Sequence, residues 1–299
     1  MTQKQKIVFF IRSYEGSQAK WANALAQGIL QHDSQRFDIV VTTDSYNSFS
    51  KAPDLAIIWA HKRMDIIKGQ KTRSRRYLIM ERAYVGDRFK WCSLGYDGLN
   101  GEADFCNLSV SSDRWQSLFC KHIKPWNKSS QKTGKYVLLI GQVAHDAACR
   151  HVNMNSWYSR MIRKCNEMGI PVLFRPHPLS EEKDITSLVR KGLKYDIDNT
   201  GAPLEKVLKD SKACITFSSN SGVVSLLEGI PTLSYDPKSM IYNHTKHDFK
   251  DESELYYYPD RTEFCNKIAY SQWTMDEMKS GEAWKHLRKG MIKADVENT

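Results

Sequence analysis

The chain has 299 residues, which is long enough for two domains that each have their own core. Of these residues 41% are hydrophobic and 26% are charged, a composition that argues against wholesale disorder. No apolar run approaches the roughly 20 residues that span a bilayer, and no apolar leader follows the polar residues 1–6, so we expect a cytoplasmic protein. The net charge of +10 favours either a polyanionic partner or a site for a phosphorylated small molecule.

The first half of the chain alternates predicted strands with predicted helices, which indicates an α/β fold with a parallel, doubly wound sheet. The predicted strands are residues 6–11, 37–42, 55–59 and 77–80, and the predicted helices are residues 19–31 and 61–68. Residues 87–105 interrupt this alternation with glycines among aromatic and acidic residues. They predict a long loop, and long loops in compact domains are often functional.

Basic residues are concentrated in the stretches 62–76 and 121–135, with tryptophans nearby in the sequence. Positive charge beside stacking surfaces suits a nucleic acid. The residues that we assign to such an interface are Arg63, Arg73, Arg75, Arg76 and Arg88. A solvated charged face would show the same pattern.

Residues 124–135 are rich in Lys, Ser and Gln and predict a linker. A second alternation follows, with strands at 136–140, 171–175, 213–217 and 231–235 and helices at 156–168, 203–208 and 221–228. The tail at 261–299 is predicted to be helical and to pack back on the N-terminal domain, which gives domains at 1–125 and 136–260. Seven scattered cysteines without a CxxC pair favour reduced, mostly buried thiols over a disulfide framework or a zinc site.

Three polar segments of the second half each begin where a predicted strand ends. They are residues 141–146 (GQVAHD), 174–178 (FRPHP) and 216–222 (TFSSNSG). In open α/β sheets ligands collect at the carboxyl ends of strands, and phosphates collect at helix N-termini. The three segments therefore predict a single nucleotide site.

The last segment is a candidate for holding phosphate, because hydroxyls and backbone N–H groups meet at the predicted start of a helix. Its assigned residues are Ser218, Ser219, Asn220, Ser221 and Gly222. Gly222 would let the backbone approach a ligand closely. Glu228, further along the same helix, is a candidate acceptor for two ribose hydroxyls. An N-cap without a ligand and a solvated carboxylate are the alternatives.

The other two segments supply a cation, an imidazole and polar groups. Arg175 offers forked donors to phosphate, and the prolines on both sides of His177 fix the direction of that residue. Gln142 is a candidate for bonding a base or sugar, and Asp146 a candidate cap for the segment that follows. Structural roles are the alternative for each of them.

The second half resembles the capsule-polysaccharide Kdo transferase family. The resemblance rests on residues 141–143 and 146–147, on His177–Pro178, and on residues 218–222 leading into 227–231. The first half looks like bacteriophage proteins that share this transferase module, on Glu81–Arg82, residues 87–89 and Asn100–Gly101. The resemblance implies the GT-B architecture, with two Rossmann-like domains facing across a cleft. It also implies a nucleotide-sugar co-substrate without an obligatory metal or a permanently bound cofactor.

A glycosyltransferase of this kind would bind a UDP- or CMP-sugar on the C-terminal domain. Ser219, Ser221 and Gly222 would hold phosphate, while Arg175 and His177 neutralise charge as the nucleotide leaves. Transfer with inversion needs a base that takes the proton from the acceptor hydroxyl. The candidates, in falling order of preference, are Asp87, Glu81, Asp97 and Glu15. A surface acid in an ion pair is the alternative for each of them.

The positive charge and the phage-like first half favour DNA as acceptor, at a hydroxymethylated pyrimidine that would be flipped out of a duplex. The protein would then act in the cytoplasm of a host cell. Two alternatives are open: a surface-polysaccharide transferase, and a non-catalytic protein that binds nucleotides or nucleic acid. The sequence does not indicate an oligomeric state.

Overall fold

The structure is a computed structural model that describes residues 3–143, 146–180 and 192–296, with side chains described up to Met291. The chain divides into two compact units. The first comprises Met1–Leu118 and Cys265–Thr299, and the second comprises Phe119–Phe264. Ala144 and His145 of the first polar segment lie outside the described residues.

The first unit is built on six strands: β1 (Gln5–Phe10), β2 (Phe37–Thr42), β3 (Leu55–Trp59), β4 (Arg76–Arg82), β5 (Trp91–Tyr96) and, from the C-terminal tail, β11 (Gln272–Thr274). Their order in the sheet is β11-β5-β4-β3-β1-β2. The first four run parallel to one another, and β5 and β11 are antiparallel to their neighbours. The predicted parallel sheet is therefore confirmed for its central strands and gains an antiparallel edge.

Two predictions for this unit are wrong. The predicted loop at 87–105 contains β5, whose Gly95 is required by packing, because a Cβ atom there would lie 2.7 Å from the Cβ of Ala103. The predicted helical tail contains β11, which pairs with β5. Three residues are too short to show an alternating pattern in a sequence.

The helices of the first unit are α1 (Ser17–Asp33), α2 (Met64–Thr72), α3 (Asp113–Leu118), α9 (Met275–Lys279) and α10 (Glu282–Val296). Leu25 and Ile29 of α1 share one buried core with Trp284 and Leu287 of α10. Gly28 of α1 permits this contact, because a Cβ atom at that position would collide with the backbone at Met278 and Gly281. The tail thus packs on the N-terminal sheet, as predicted.

The second unit contains the strands β6 (Tyr136–Ile140), β7 (Val172–Arg175), β8 (Asp196–Ile197), β9 (Ser211–Thr216) and β10 (Thr232–Ser234). Their order is β10-β9-β6-β7-β8, and every pairing among them is parallel. The helices are α4 (Ser130–Thr133), α5 (Met154–Glu167), α6 (Leu204–Lys209) and α7 (Ser221–Leu227), and α8 (Thr262–Ala269) leads the chain back to the first unit. Because the strands are parallel, all their carboxyl ends lie along one edge.

The segment that composition marks as a linker lies in the second unit and is fixed there by hydrogen bonds. The backbone N–H of Lys124 donates to the carbonyl of Leu227 at 2.8 Å. The Arg261 guanidinium donates to the carbonyls of Lys124 and Leu226 and stacks 4.0 Å from the Trp126 ring. Residues 124–126 are therefore held against the carboxyl end of α7.

Candidate functional site

The carboxyl ends of β9, β6 and β7 are neighbours in the second sheet, so the three polar segments meet at one edge, as predicted. Gly141 allows two of them to touch. Its N–H donates to the carbonyl of Arg175 at 2.7 Å. A Cβ atom at this position would lie 2.9 Å from the Cα of Pro176 and 3.1 Å from the nitrogen of His177. Only glycine permits this approach without a shift of the backbone.

Gln142 joins the ends of β6 and β9. Its Oε1 accepts from the backbone N–H of Ser218 at 2.8 Å, and its Nε2 donates to the Ser218 hydroxyl at 3.2 Å. Its own N–H donates to the hydroxyl of Tyr158 at 2.6 Å, and the residue is 9% exposed. The side chain therefore positions Ser218, a role that the sequence did not predict.

His177 is half-buried at the end of β7, between Pro176 and Pro178. Its Nδ1 accepts from the backbone N–H of Leu179 at 3.1 Å. In the neutral ring the proton is therefore on Nε2, which acts as the donor. The backbone thus fixes both the direction of the imidazole and its tautomer.

Arg175 points towards β8 rather than towards β9. Its Nη1 donates to the Asp198 carboxylate at 2.7 Å, and its Nη2 donates to the carbonyl of Ala202 at 2.7 Å. Burial works to raise the pKa of Asp198, but hydrogen bonds from Thr200 and the guanidinium of Arg175 outweigh it and lower the pKa below its usual value. Arg175 therefore joins β7 to the loop after β8. The sequence had instead predicted that this guanidinium donates to phosphate.

The loop from Ser218 to Gly222 is ordered by short-range bonds. The N–H of Ser219 donates to the Thr216 hydroxyl at 3.1 Å, and the Ser219 hydroxyl accepts from the N–H of Ser221 at 3.2 Å. Asn220 is exposed at the start of α7. A Cβ atom at Gly222 would lie 2.7 Å from the side chain of Ile241 and 2.9 Å from that of Thr216. Packing of α7 against Ile241 and Thr216 therefore requires this glycine.

The two acids of the second unit that the sequence predicts for the site, Asp146 and Glu228, both have partners within the protein. Asp146 accepts from the N–H of Ala147 at 2.6 Å, and its carbonyl accepts from Cys149 and Arg150, which agrees with a capping role. Glu228 lies just beyond α7 and pairs with Lys124 at 2.5 Å. Its carboxylate is 14% exposed. An interaction with ribose would have to share this carboxylate with Lys124.

The candidate bases lie at two different edges of the first sheet. Glu15, Glu81 and Asp87 belong to the carboxyl ends of β1 and β4. Asp97 follows β5, which runs antiparallel to β4, so it lies at the opposite edge. There its carboxylate accepts from Arg76 at 2.6 Å and from the N–H of Tyr77 at 3.1 Å. Asp97 therefore serves the structure and does not join the other three acids.

The carboxylates of Glu81 and Asp87 are held by their own backbone. Oε1 of the half-buried Glu81 accepts from the N–H of Arg82 at 2.8 Å. Oδ1 of the exposed Asp87 accepts from the N–H of Phe89 at 2.9 Å. Asp87 is the more accessible of the two acids.

The five arginines assigned to a nucleic acid do not form one surface. Arg63 and Arg88 follow the carboxyl ends of β3 and β4, whereas Arg73, Arg75 and Arg76 precede or begin β4. The seven residues of β4 separate these groups by about 20 Å. Arg75 pairs with Asp54, and Arg76 pairs with Asp97 and Asp104. Strand direction, which a cluster in the sequence does not reveal, divides the set.

The carboxyl edge of the first sheet carries a stack of rings and guanidinium groups whose mutual contacts the sequence did not predict. Arg82 lies 5.7 Å from the Trp59 ring and 4.7 Å from the Phe89 ring, and Arg88 lies 6.0 Å from Phe89. Phe89 is 67% exposed. Ala60, directly after β3, has a φ of 58°, a strained value for a residue with a side chain. We call Arg82, Arg88, Trp59 and Phe89 together the Arg82 stack.

Two solved structures with a similar fold are glycosyltransferase modules. The β-Kdo 2,4-transferase of KpsC from Thermosulfurimonas dismutans is 15% identical, with 90% of each chain covered and a TM-score of 0.58. The β-Kdo 2,7-transferase of the same protein is 10% identical, with 94% of this chain and 99% of that chain covered and a TM-score of 0.55. The fold is that of the GT-B glycosyltransferases.

A third structure, the E. coli heptosyltransferase WaaC with ADP, is 13% identical over 77% of this chain and 86% of that one. Its TM-score of 0.33 is too low to support an argument. The chain matches no known protein-family model, and no curated protein matches it in sequence.

Three further findings concern the described residues. No helix among them is both long enough and apolar enough to cross a membrane. No group of three or more His, Cys, Asp or Glu residues there is arranged to hold a metal ion. All seven cysteines are described, none is in a disulfide, and six are buried, with Cys120 exposed.

Proposed function

We propose that the protein is a glycosyltransferase whose nucleotide-sugar donor binds at the carboxyl edge of the second sheet. The observation that carries the proposal is the GT-B fold shared with two Kdo transferase modules over at least 90% of this chain. The meeting of three polar segments at that edge supports it. Ligands of open α/β sheets bind at this edge.

In the proposed reaction the acceptor hydroxyl oxygen attacks the anomeric carbon of the donor sugar. The bond from that carbon to the phosphate oxygen breaks, and its electron pair remains on the nucleotide. A carboxylate of the first unit takes the hydroxyl proton, and we assign this role to Asp87 before Glu81 because Asp87 is more accessible. Nε2–H of His177 would donate to the leaving phosphate, together with the hydroxyls of Ser219 and Ser221.

The donor of this reaction would be a UDP- or CMP-sugar. Hydrogen-bond donors of the chain would stabilise the leaving phosphate, so we propose that no metal is required. Arg175 is not included in this set, because Asp198 and Ala202 already engage its guanidinium.

For the acceptor we propose a hydroxyl of a surface saccharide, since the two similar transferases are named for transfer of the sugar Kdo. The Arg82 stack would hold it, with the ring of Phe89 against a sugar ring and the guanidinium groups against acidic substituents.

A hydroxymethylated pyrimidine in phage DNA is the second candidate, and the net charge of +10 favours it. The division of the five arginines between two edges weighs against it, because these five do not form one basic surface for a duplex.

The test is a turnover assay with a panel of UDP-, CMP-, ADP- and GDP-sugars, in which nucleotide release is measured without and with acceptors. The acceptor arms are acidic oligosaccharides, hydroxymethylated DNA and unmodified DNA. We expect one donor class to be consumed and the oligosaccharide to accelerate its consumption. Acceleration by hydroxymethylated DNA alone would favour the second candidate. Binding of a nucleotide sugar without any turnover would contradict the proposal and favour a non-catalytic protein that binds nucleotides.

A further inference from the structure

A fourth strand end lies at the same edge of the second sheet and carries a buried carboxylate. Asp236 follows β10, the neighbour of β9, and is 1% exposed. Its N–H donates to the carbonyl of Phe217 at 3.0 Å, and its Oδ1 accepts from the N–H of Lys238 at 3.0 Å. An ionised carboxylate at this depth is stable when hydrogen bonds and a nearby cation compensate for lost hydration.

His151 brings an imidazole to this carboxylate from the segment between β6 and α5. Its Nε2 lies 4.0 Å from Oδ2 of Asp236, within the range of an ion pair. The ring centroid is 5.9 Å from that of Phe217. The side chain is nevertheless 46% exposed. The imidazole therefore has a buried carboxylate on one side and solvent in front of it.

Phe217 connects this pair to the phosphate loop. It directly precedes Ser218, which Gln142 holds, and its carbonyl accepts from the N–H of Asp236 and from the hydroxyl of Ser234. His151 therefore lies against the strand end from which Ser218 and Ser219 emerge. Neither residue was predicted from the sequence, although Asp236 directly follows a short predicted strand, as the predicted site residues do.

We infer that His151 binds the phosphate of the donor through a ring N–H, with Asp236 as the positioning residue. The inference rests on the proposed function and adds a histidine to the donor site, from which Arg175 is excluded. Phosphate, rather than a neutral sugar, is the expected ligand, because a hydrogen bond to an anion is charge-assisted.

The test is calorimetric binding of CMP, UDP and inorganic pyrophosphate to the full chain and its variants. We expect His151→Ala to weaken binding of the preferred ligand about tenfold, the loss of one charge-assisted hydrogen bond. His151→Gln keeps a donor and should bind with an affinity between those of His151→Ala and the original protein. Asp236→Asn should weaken binding although it touches no ligand. In turnover, His151→Ala should raise the donor KM.

Arg150→Ala is the matched control, because Arg150 is an exposed cation one residue away. It should bind like the unaltered protein. The inference would be overturned if His151→Ala bound as tightly as the unaltered protein, or if Arg150→Ala lost as much affinity as His151→Ala. Either result would leave the proposed function standing. If the unaltered chain binds none of the three ligands, the proposed function falls and the inference falls with it. Should Asp236→Asn fail to fold, the His151 variants still decide.

Discussion

The carboxyl edges of the two sheets are built differently. In the second unit the strand ends are bonded to one another: Gly141 to Arg175, Gln142 to Ser218, and Asp236 to Phe217. In the first unit Oε1 of Glu81 accepts from the N–H of Arg82, Oδ1 of Asp87 accepts from the N–H of Phe89, and Phe89 is largely exposed. The segments that carry the proposed donor site are thus bonded to one another across strands, whereas Asp87 and Phe89 lie on an exposed turn.

This difference agrees with a division of labour in a transferase. A site for a leaving phosphate gains from donors that are fixed before the reaction, because no reorganisation is then needed. A site for an acceptor gains its specificity from loops, which change without disturbing the sheet. The comparison therefore predicts that substitutions at the first edge alter acceptor use, whereas those at the second alter donor use or stability.

The largest effect is expected for Asp87→Asn at the first edge. Loss of a general base lowers kcat by 10²–10⁴-fold, so we expect about a 10³-fold decrease with an acceptor present. The matched control is Glu81→Gln, which also removes one carboxylate from this edge and should change kcat less than tenfold. The measurement is nucleotide release at saturating acceptor. If the two variants exchange their effects, the base is Glu81; if neither lowers kcat, Glu15 is the remaining candidate base at this edge.

His177→Ala should lower kcat by about 10²-fold at the second edge, because it removes one fixed donor to the leaving phosphate. The midpoint of thermal unfolding should change little, since the ring is only half-buried. His177→Gln, whose amide donates without the ring, should recover part of the rate. Steady-state kinetics of both variants with thermal unfolding as the folding control provide the test. An unchanged kcat in His177→Ala would remove this residue from the donor site.

Arg175→Met should lower stability instead of donor binding. It leaves the carboxylate of Asp198, 3% exposed, without its guanidinium partner, and we expect a loss of about 2 kcal/mol in the free energy of unfolding. Urea unfolding measures this loss, and the donor KM of the folded variant should stay within about threefold of the original. A raised KM at unchanged stability would restore Arg175 as a phosphate ligand.

The same pair predicts a pH dependence. Folding lowers the pKa of Asp198 below its ordinary value of 3.8, so the stabilisation is complete above that pH and is lost as the pH falls through the folded pKa. The difference in unfolding free energy between the original protein and Arg175→Met should therefore be full at pH 7 and narrow below about pH 3.8. A difference that does not depend on pH would show that packing, not charge, explains the loss.

The sequence predicted the edge where the site lies better than the contacts within it. Strand ends follow from local patterns, and in a parallel sheet they must share an edge, so residues 141–143, 175–177 and 218–222 were placed together correctly. Partners of side chains depend on contacts distant in sequence. Asp198, which engages Arg175, follows the two-residue strand β8, which was not predicted. Likewise, the sequence did not indicate that β5 is antiparallel to β4. This direction places Asp97 at the edge opposite to that of the other candidate bases.

Phe89→Ala tests the first edge with the smallest expected effect. The ring is 67% exposed and lies beside Arg82 and Arg88, so its removal should leave the unfolding midpoint unchanged. It should raise the acceptor KM five- to tenfold, since a stacked ring contributes roughly 1 kcal/mol. The donor KM should not change. Leu108→Ala, an exposed apolar residue at 81%, is the control and should alter neither constant. A shift in donor KM with Phe89→Ala would contradict the assignment of this edge to the acceptor and remove the contrast between the two sheets.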